Sequence, residues 1–65
     1  MHEVLSAYFS DDGTREAHVR KEVCGFYVDL IIDGVVVEKR PLYEHSESYA
    51  EACAENFVLG IFDVK

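Results

Sequence analysis

An Asp-Gly pair, Asp33-Gly34, constrains the fold of this chain more than any other sequence feature. It lies between two runs rich in β-branched and aromatic residues, Val23 to Ile32 and Val35 to Tyr43. Aspartate and glycine both tolerate the positive φ angles that a two-residue hairpin turn requires. The pair therefore predicts a β-hairpin in which Ile32 lies opposite Val35.

The two-residue turn also predicts the register of the hairpin. It pairs Leu30 with Val37 and sets Asp29 opposite Glu38, which is unfavourable because like charges repel across a strand pair. A three-residue loop with a glycine bulge would avoid that pair, but it would move Val37 to the other face of the sheet. We favour the two-residue turn.

The residues before the hairpin predict one more strand and a turn. Residues Glu3 to Phe9 alternate as a first strand, and Ser10 to Thr14 form a turn signal rich in aspartate and glycine. Residues Arg15 to Glu22 alternate only loosely. We interpret Gly25 as a bulge within one long strand that begins near residue 15 and continues into the hairpin.

The C-terminal part predicts a helix over residues 46 to 59, because its apolar positions recur with helical periodicity. Ser46 or Ser48 is a suitable N-cap, and Gly60 is a natural C-terminal stop. The apolar tail, residues 61 to 65, would be either a last turn docked on the core or a small added strand.

These elements predict one α+β domain over residues 1–65, because a chain of this length holds a single core. Its architecture would be a three-stranded antiparallel β-meander followed by one C-terminal α-helix packed on one sheet face. Small domains often gain further stability from disulfides, metals or oligomerisation. Cys24 and Cys53 are too few for a disulfide framework, and both fall on predicted core faces as reduced thiols. A homodimer is therefore expected.

A single helix cannot cover both faces of the sheet. The face away from the helix would carry Tyr27, Ile31 and Val36, and we predict that these residues form the self-association face. The alternative is that they are scattered apolar surface residues, which are common.

The acidic side of the helix is the most distinctive local feature of a chain with net charge −7. Glu47, Glu51 and Glu55 recur every four residues, and no Lys or Arg occurs between Pro41 and Val64. This pattern is typical of a solvated face that maintains solubility. It also suits a surface that meets a basic partner protein, which we adopt as the functional hypothesis.

No catalytic, cofactor-binding or metal site is predicted, and we do not expect an enzyme. The three histidines do not cluster in sequence, so a metal site at His45 with Glu44 or Glu47 would lack further ligands. No apolar run approaches the roughly 18 residues of a membrane span. The first residues lack the basic and apolar stretches of a signal peptide, so we expect a cytoplasmic location.

The segment from His45 to Gly60, HSESYAEACAENFVLG, resembles the C-terminal helix of small uncharacterised proteins of marine cyanophages. The preceding hairpin, Gly25 to Lys39, is similar to theirs as well. This resemblance implies a phage-encoded protein in the host cytoplasm, and it implies no particular activity.

The order of strands and helix also resembles three nucleic-acid-binding families. These are the DNA-binding domains of plant ethylene-response factors, the arm-binding domains of phage integrases, and the last four elements of double-stranded RNA-binding domains. Those families place basic strands on the nucleic acid, whereas basic residues here are few and dispersed. Direct nucleic-acid binding through the sheet is therefore not expected.

The sequence favours a non-enzymatic, homodimeric protein–protein interaction module. The alternative is an acidic phage-type DNA mimic that inhibits a host DNA-binding protein or nuclease, since the chain carries excess negative charge. Either function would use the row of helix glutamates.

Overall fold

The computed structural model describes residues 4–61, which form an antiparallel sheet and one helix packed on one of its faces. The elements are β1 (Val4–Phe9), β2 (Arg15–Glu22), β3 (Gly25–Ile32), β4 (Val35–Leu42) and α1 (Glu47–Val58). The predicted α+β class, antiparallel sheet and C-terminal helix are confirmed. The predicted strand number is wrong, because the sheet has four strands in the order β1-β2-β3-β4. Most of the predicted C-terminal tail, residues 62–65, lies outside the described residues.

The additional strand arises where one long strand was expected. Residues Val23 and Cys24 form a turn that folds β3 back on β2, so that Arg15 lies opposite Ile32 and Glu22 opposite Gly25. The prediction failed because apolar residues occupy this turn and continue the strand pattern across it. Cys24 is consequently exposed, which corrects its predicted place in the core.

The Asp33-Gly34 hairpin is confirmed, but its register changes within the strands. Both turn residues have positive φ, 52° and 81°, and Ile32 lies opposite Val35. A register shift between Leu30 and Ile31 then inserts one extra residue into β4, which brings Lys39 opposite Asp29. The predicted opposition of Asp29 and Glu38 is therefore wrong. The bulge replaces a repulsive charge pair with an attractive one.

The core lies between α1 and the helix-facing side of the central strands. Alternate residues of β2 and β3 point to this side, and small helix residues allow the helix to approach the sheet. The fully buried residues are Ala17, Val19, Val28, Leu30, Ala50, Ala54 and Phe57. This packing sets which flank of α1 lies over which strand.

The ends of α1 are fixed by local hydrogen bonds. Ser46 is the N-cap, because its Oγ accepts a hydrogen bond from the Tyr49 N–H at 3.2 Å. At the other end Gly60 has φ 79°, its N–H donates to Phe57 O, and the Ile61 N–H donates to Asn56 O. This is the Schellman arrangement, which confirms the predicted stop at glycine.

Candidate protein-interaction surface

The three predicted glutamates form a continuous acidic ridge, Glu47, Glu51 and Glu55, on the flank of α1 that lies over β1. The Ser6 Oγ donates a hydrogen bond to Glu51 Oε2 at 3.0 Å, which ties the middle of the ridge to the strand. Partial burial and then the negative charges of Glu51 and Glu55 raise the pKa of the Tyr8 hydroxyl. The negative charges of the ridge therefore affect a side chain of β1.

The helix and β1 run side by side in the same direction. Ser6 contacts Glu51 near the middle of the helix, and Phe9 lines a pocket with Val58 at the helix end. Three residues of strand span about 10 Å, and seven residues of helix span about the same distance. The acidic ridge thus follows the length of β1 rather than crossing it.

Positive charge is carried by the strands rather than by the helix. Every Lys and Arg within residues 4–61 lies on β2 or β4 and has a contact within the chain. The contacts are Arg15 with the Phe57 carbonyl, Arg20 with Asp29, Lys21 with the Phe26 ring, Lys39 with Glu22, and Arg40 with Glu38. In this part of the chain no basic side chain forms an ion pair with the acidic ridge.

The predicted self-association face is largely covered by the chain itself. Tyr27 and Ile31 lie on the sheet face away from α1, but they are only 4% and 6% exposed. The Lys39 ammonium lies 4.4 Å from the centre of the Tyr27 ring, and the Arg20–Asp29 pair lies on the same face. Val36 is 56% exposed and continues into the exposed Val35 and Val37. The structure therefore places an accessible apolar surface at β4 rather than over Tyr27.

A groove that the sequence did not reveal lies between α1 and β4. Its volume is about 320 Å³, and it is lined by Arg40, Leu42, Tyr49, Ala52, Cys53 and Asn56. Burial raises the pKa of the Cys53 thiol, and the nearby Arg40 charge offsets this only in part. A protonated, half-buried thiol is a poor nucleophile, so the arrangement does not favour covalent chemistry.

The histidines are placed apart from one another. The His45 ring stacks on Tyr49 with centroids 3.8 Å apart, and His18 contacts Glu16 on the open sheet face. His2 lies outside the described residues. Within residues 4–61 no group of three or more potential ligands is placed to hold a metal ion.

Comparisons with known proteins do not identify a relative. No protein-family model, curated protein or solved structure matches this chain. The resemblance to cyanophage proteins therefore stays a prediction. In the part of the chain that the structure describes, no helix is both long and apolar enough to cross a membrane.

Proposed function

We propose that this chain is a non-enzymatic protein–protein interaction module of the cytoplasm, whose acidic ridge binds a basic partner protein. The observation that carries the proposal is the separation of charge. Arg20, Lys39 and Arg40 form ion pairs with carboxylates of the strands, while Glu47, Glu51 and Glu55 form a band along α1 that has no ion-pair partner within residues 4–61. Such a band steers and orients a partner of opposite charge.

Helix stability does not account for the ridge. Like charges four residues apart destabilise a helix slightly, by about 0.2 to 0.5 kcal/mol per pair. Glu47 in the first turn interacts favourably with the helix dipole, whereas Glu55 lies in the last turn, where negative charge is unfavourable. The arrangement is therefore explained by a role at the surface, in solubility or in binding a basic partner, rather than by a contribution to helix stability.

Neutralising the ridge is expected to abolish partner binding. The variant E47Q/E51Q/E55Q removes three charges while keeping side-chain size and the acceptor for Ser6. Proteins captured from nuclease-treated lysate by the tagged wild-type chain should fall by at least about tenfold at physiological salt, because complementary charge is lost. Capture is measured by quantitative mass spectrometry.

The matched control is D11N/D33N/E44Q, which changes the net charge equally at exposed positions outside the ridge. Asparagine tolerates the positive φ of Asp33, so this control keeps the hairpin turn. Equal capture by the wild-type chain and the ridge variant, or equal losses in both variants, would contradict the proposal.

We further propose that the module is a homodimer with Val36 in its interface. Support comes from the exposed valines of β4, since Tyr27 and Ile31 are already covered. Val36→Lys should shift sedimentation equilibrium from dimer to monomer, whereas Val23→Lys, at a fully exposed turn position, should not. A strictly monomeric wild-type chain at high concentration would rule the dimer out.

A DNA mimic is the second candidate, and the same ridge favours it. Carboxylates four residues apart recur about every 6 Å along one helix flank, so the ridge presents a regular row of negative charges. If the captured protein normally binds DNA, duplex DNA should displace it from the acidic ridge, and rising salt should weaken both complexes. A captured protein that duplex DNA does not displace would favour the interaction module.

A further inference from the structure

We infer that the outer edge of β1 binds an extended basic segment of the partner, which adds to the sheet as a further strand beneath the acidic ridge. This inference rests on the proposed function and specifies how the partner engages the ridge. The occupant is an antiparallel strand in which lysine or arginine alternates with apolar residues.

The two edges of the sheet differ in the residues that they carry. Within residues 4–61, β1 and β4 each have a neighbouring strand on one side only. The β4 strand carries Lys39, Arg40 and Pro41, which are residue types that protect an edge against further pairing. The β1 strand, Val4–Phe9, has neither a charged residue nor a proline, and its one register shift, between Val4 and Ser6, lies before the segment that contains Ala7 and Phe9. It is the edge more open to strand addition.

The hydrogen bonds between β1 and β2 determine which backbone groups of β1 point outward. The Ser10 N–H donates to Arg15 O at 2.9 Å, so this pair is a hydrogen-bonded one. Hydrogen-bonded and non-bonded pairs alternate along an antiparallel ladder. Ala7 and Phe9 are therefore in non-bonded pairs with β2, and their N–H and C=O groups face outward.

An added strand would present alternate side chains to the two faces of the sheet. Residues beside Ser6 and Tyr8 would lie on the helix side, where Glu51 and Glu55 are within reach of long basic side chains. Alternate strand residues are about 6.7 Å apart, close to the about 6 Å rise between successive ridge glutamates. The residues that alternate with these basic residues in the added strand would lie beside Ala7 and Phe9 on the other face of the sheet. Apolar side chains suit these positions because Ala7 and Phe9 are apolar.

A second copy of the chain fits this edge poorly. Two-fold antiparallel pairing of β1 with β1 keeps both sheets in one layer and places both helices on the same face. The two acidic ridges would then face each other along the new interface, and like charges oppose that association. Charge complementarity thus selects a basic segment as the occupant.

The test uses the full chain and a capped heptapeptide that alternates lysine and valine. The first control peptide groups the same lysines before the valines, and the second carries N-methyl groups on the valines. In antiparallel pairing the valines lie opposite Ala7 and Phe9 and use their N–H groups, so methylation blocks the edge. Binding is measured by fluorescence anisotropy of labelled peptides.

Two chain variants separate the edge from the ridge. Ala7→Pro removes one outward N–H donor, leaves the β1–β2 hydrogen bonds in place and keeps every ridge charge. Ala7→Val is its matched control, because it keeps the donor. Circular dichroism verifies that both variants are folded.

We expect the alternating peptide to bind best of the three peptides. Ala7→Pro should weaken its binding about tenfold, because the variant loses one backbone hydrogen bond to the peptide and the proline ring crowds the edge. E47Q/E51Q/E55Q should weaken it as well.

Three outcomes would contradict the inference or change its occupant. Strand addition is overturned if the grouped or the N-methylated peptide binds as well as the alternating peptide, or if no peptide binds. If only ridge neutralisation weakens binding, strand addition fails and the proposed function stands. An oligomer that Ala7→Pro dissociates would show that a second copy occupies this edge, which also overturns the inference.

Discussion

Replacing Phe57 with alanine is expected to lower the free energy of unfolding by about 3 to 5 kcal/mol. The Phe57 side chain is fully buried and is the largest in the core between α1 and the sheet. The Arg15 guanidinium also lies 4.9 Å from the centre of its ring, so the substitution removes a cation–π contact as well. Urea denaturation followed by circular dichroism measures the loss.

That loss is comparable to the entire stability of a domain of this length, which is roughly 3 to 10 kcal/mol. The variant is therefore expected to unfold at a much lower urea concentration than the wild-type chain. Leu59→Ala is the matched control, because Leu59 follows the helix directly and is 65% exposed. A Phe57 variant with a denaturation midpoint as high as that of the Leu59 variant would contradict the described core.

Gly25→Ala is the second substitution with a large expected effect, a loss of at least about 2 kcal/mol of unfolding free energy. Gly25 has φ 134°, which side-chain-bearing residues rarely adopt. A Cβ at this position would also lie 2.9 Å from the Tyr43 carbonyl oxygen and 3.0 Å from the Tyr43 Cα. The backbone at the start of β3 and after β4 would have to separate. Thermal unfolding measures the effect.

Gly13→Ala is the control for a glycine of positive φ that has no close neighbour. Gly13 also has positive φ, 76°, but a Cβ there meets nothing within 4 Å. Its substitution should cost only the conformational strain, about 1 kcal/mol. If the two alanine variants melt at the same temperature, the contact between Gly25 and Tyr43 does not restrict the fold.

These two substitutions test the scaffold on which the proposed binding surface depends. The core residue Phe57 holds α1 on the sheet, and this packing places the acidic ridge along β1. Gly25 allows β3 to turn back beside β2, so that β1 is an edge strand of the sheet formed by residues 4–61. A loss of partner binding in either variant therefore reports unfolding, whereas the ridge and Ala7 variants report the surface itself.

The parts of the fold that local sequence predicts well are the hairpin at Asp33-Gly34 and the helix. The turn follows from two residues whose backbone preferences suit it, and the helix follows from apolar spacing with Ser46 and Gly60 at its ends. Both signals act within a few residues, so they do not depend on the rest of the chain. The alignment of the ridge glutamates follows from the same periodicity.

The incorrect predictions, of the strand number and of the hairpin register, concern features that depend on residues far apart in the chain. Val23 and Cys24 have strand-forming character, and Gly25 directly after them suits a bulge within a strand as well as the end of a turn. Their place follows from β3 pairing with β2 along its full length. The bulge in β4 likewise depends on how β4 pairs with β3, because it brings Lys39 rather than Glu38 opposite Asp29. A one-residue shift of this kind has no signal within either strand alone.

The sequence by itself determined the class of the fold, the acidic ridge and the excess of negative charge, because composition and short-range periodicity specify them. Only the tertiary structure decided that β1 lies beneath the ridge and that Lys39 covers Tyr27 on the opposite face. These neighbours are far apart in the chain, and packing of α1 against the central strands brings them together. The physical reason is that burial of Phe57 and its neighbours selects one placement of the helix. That placement determines which strand of the sheet lies beside the acidic ridge.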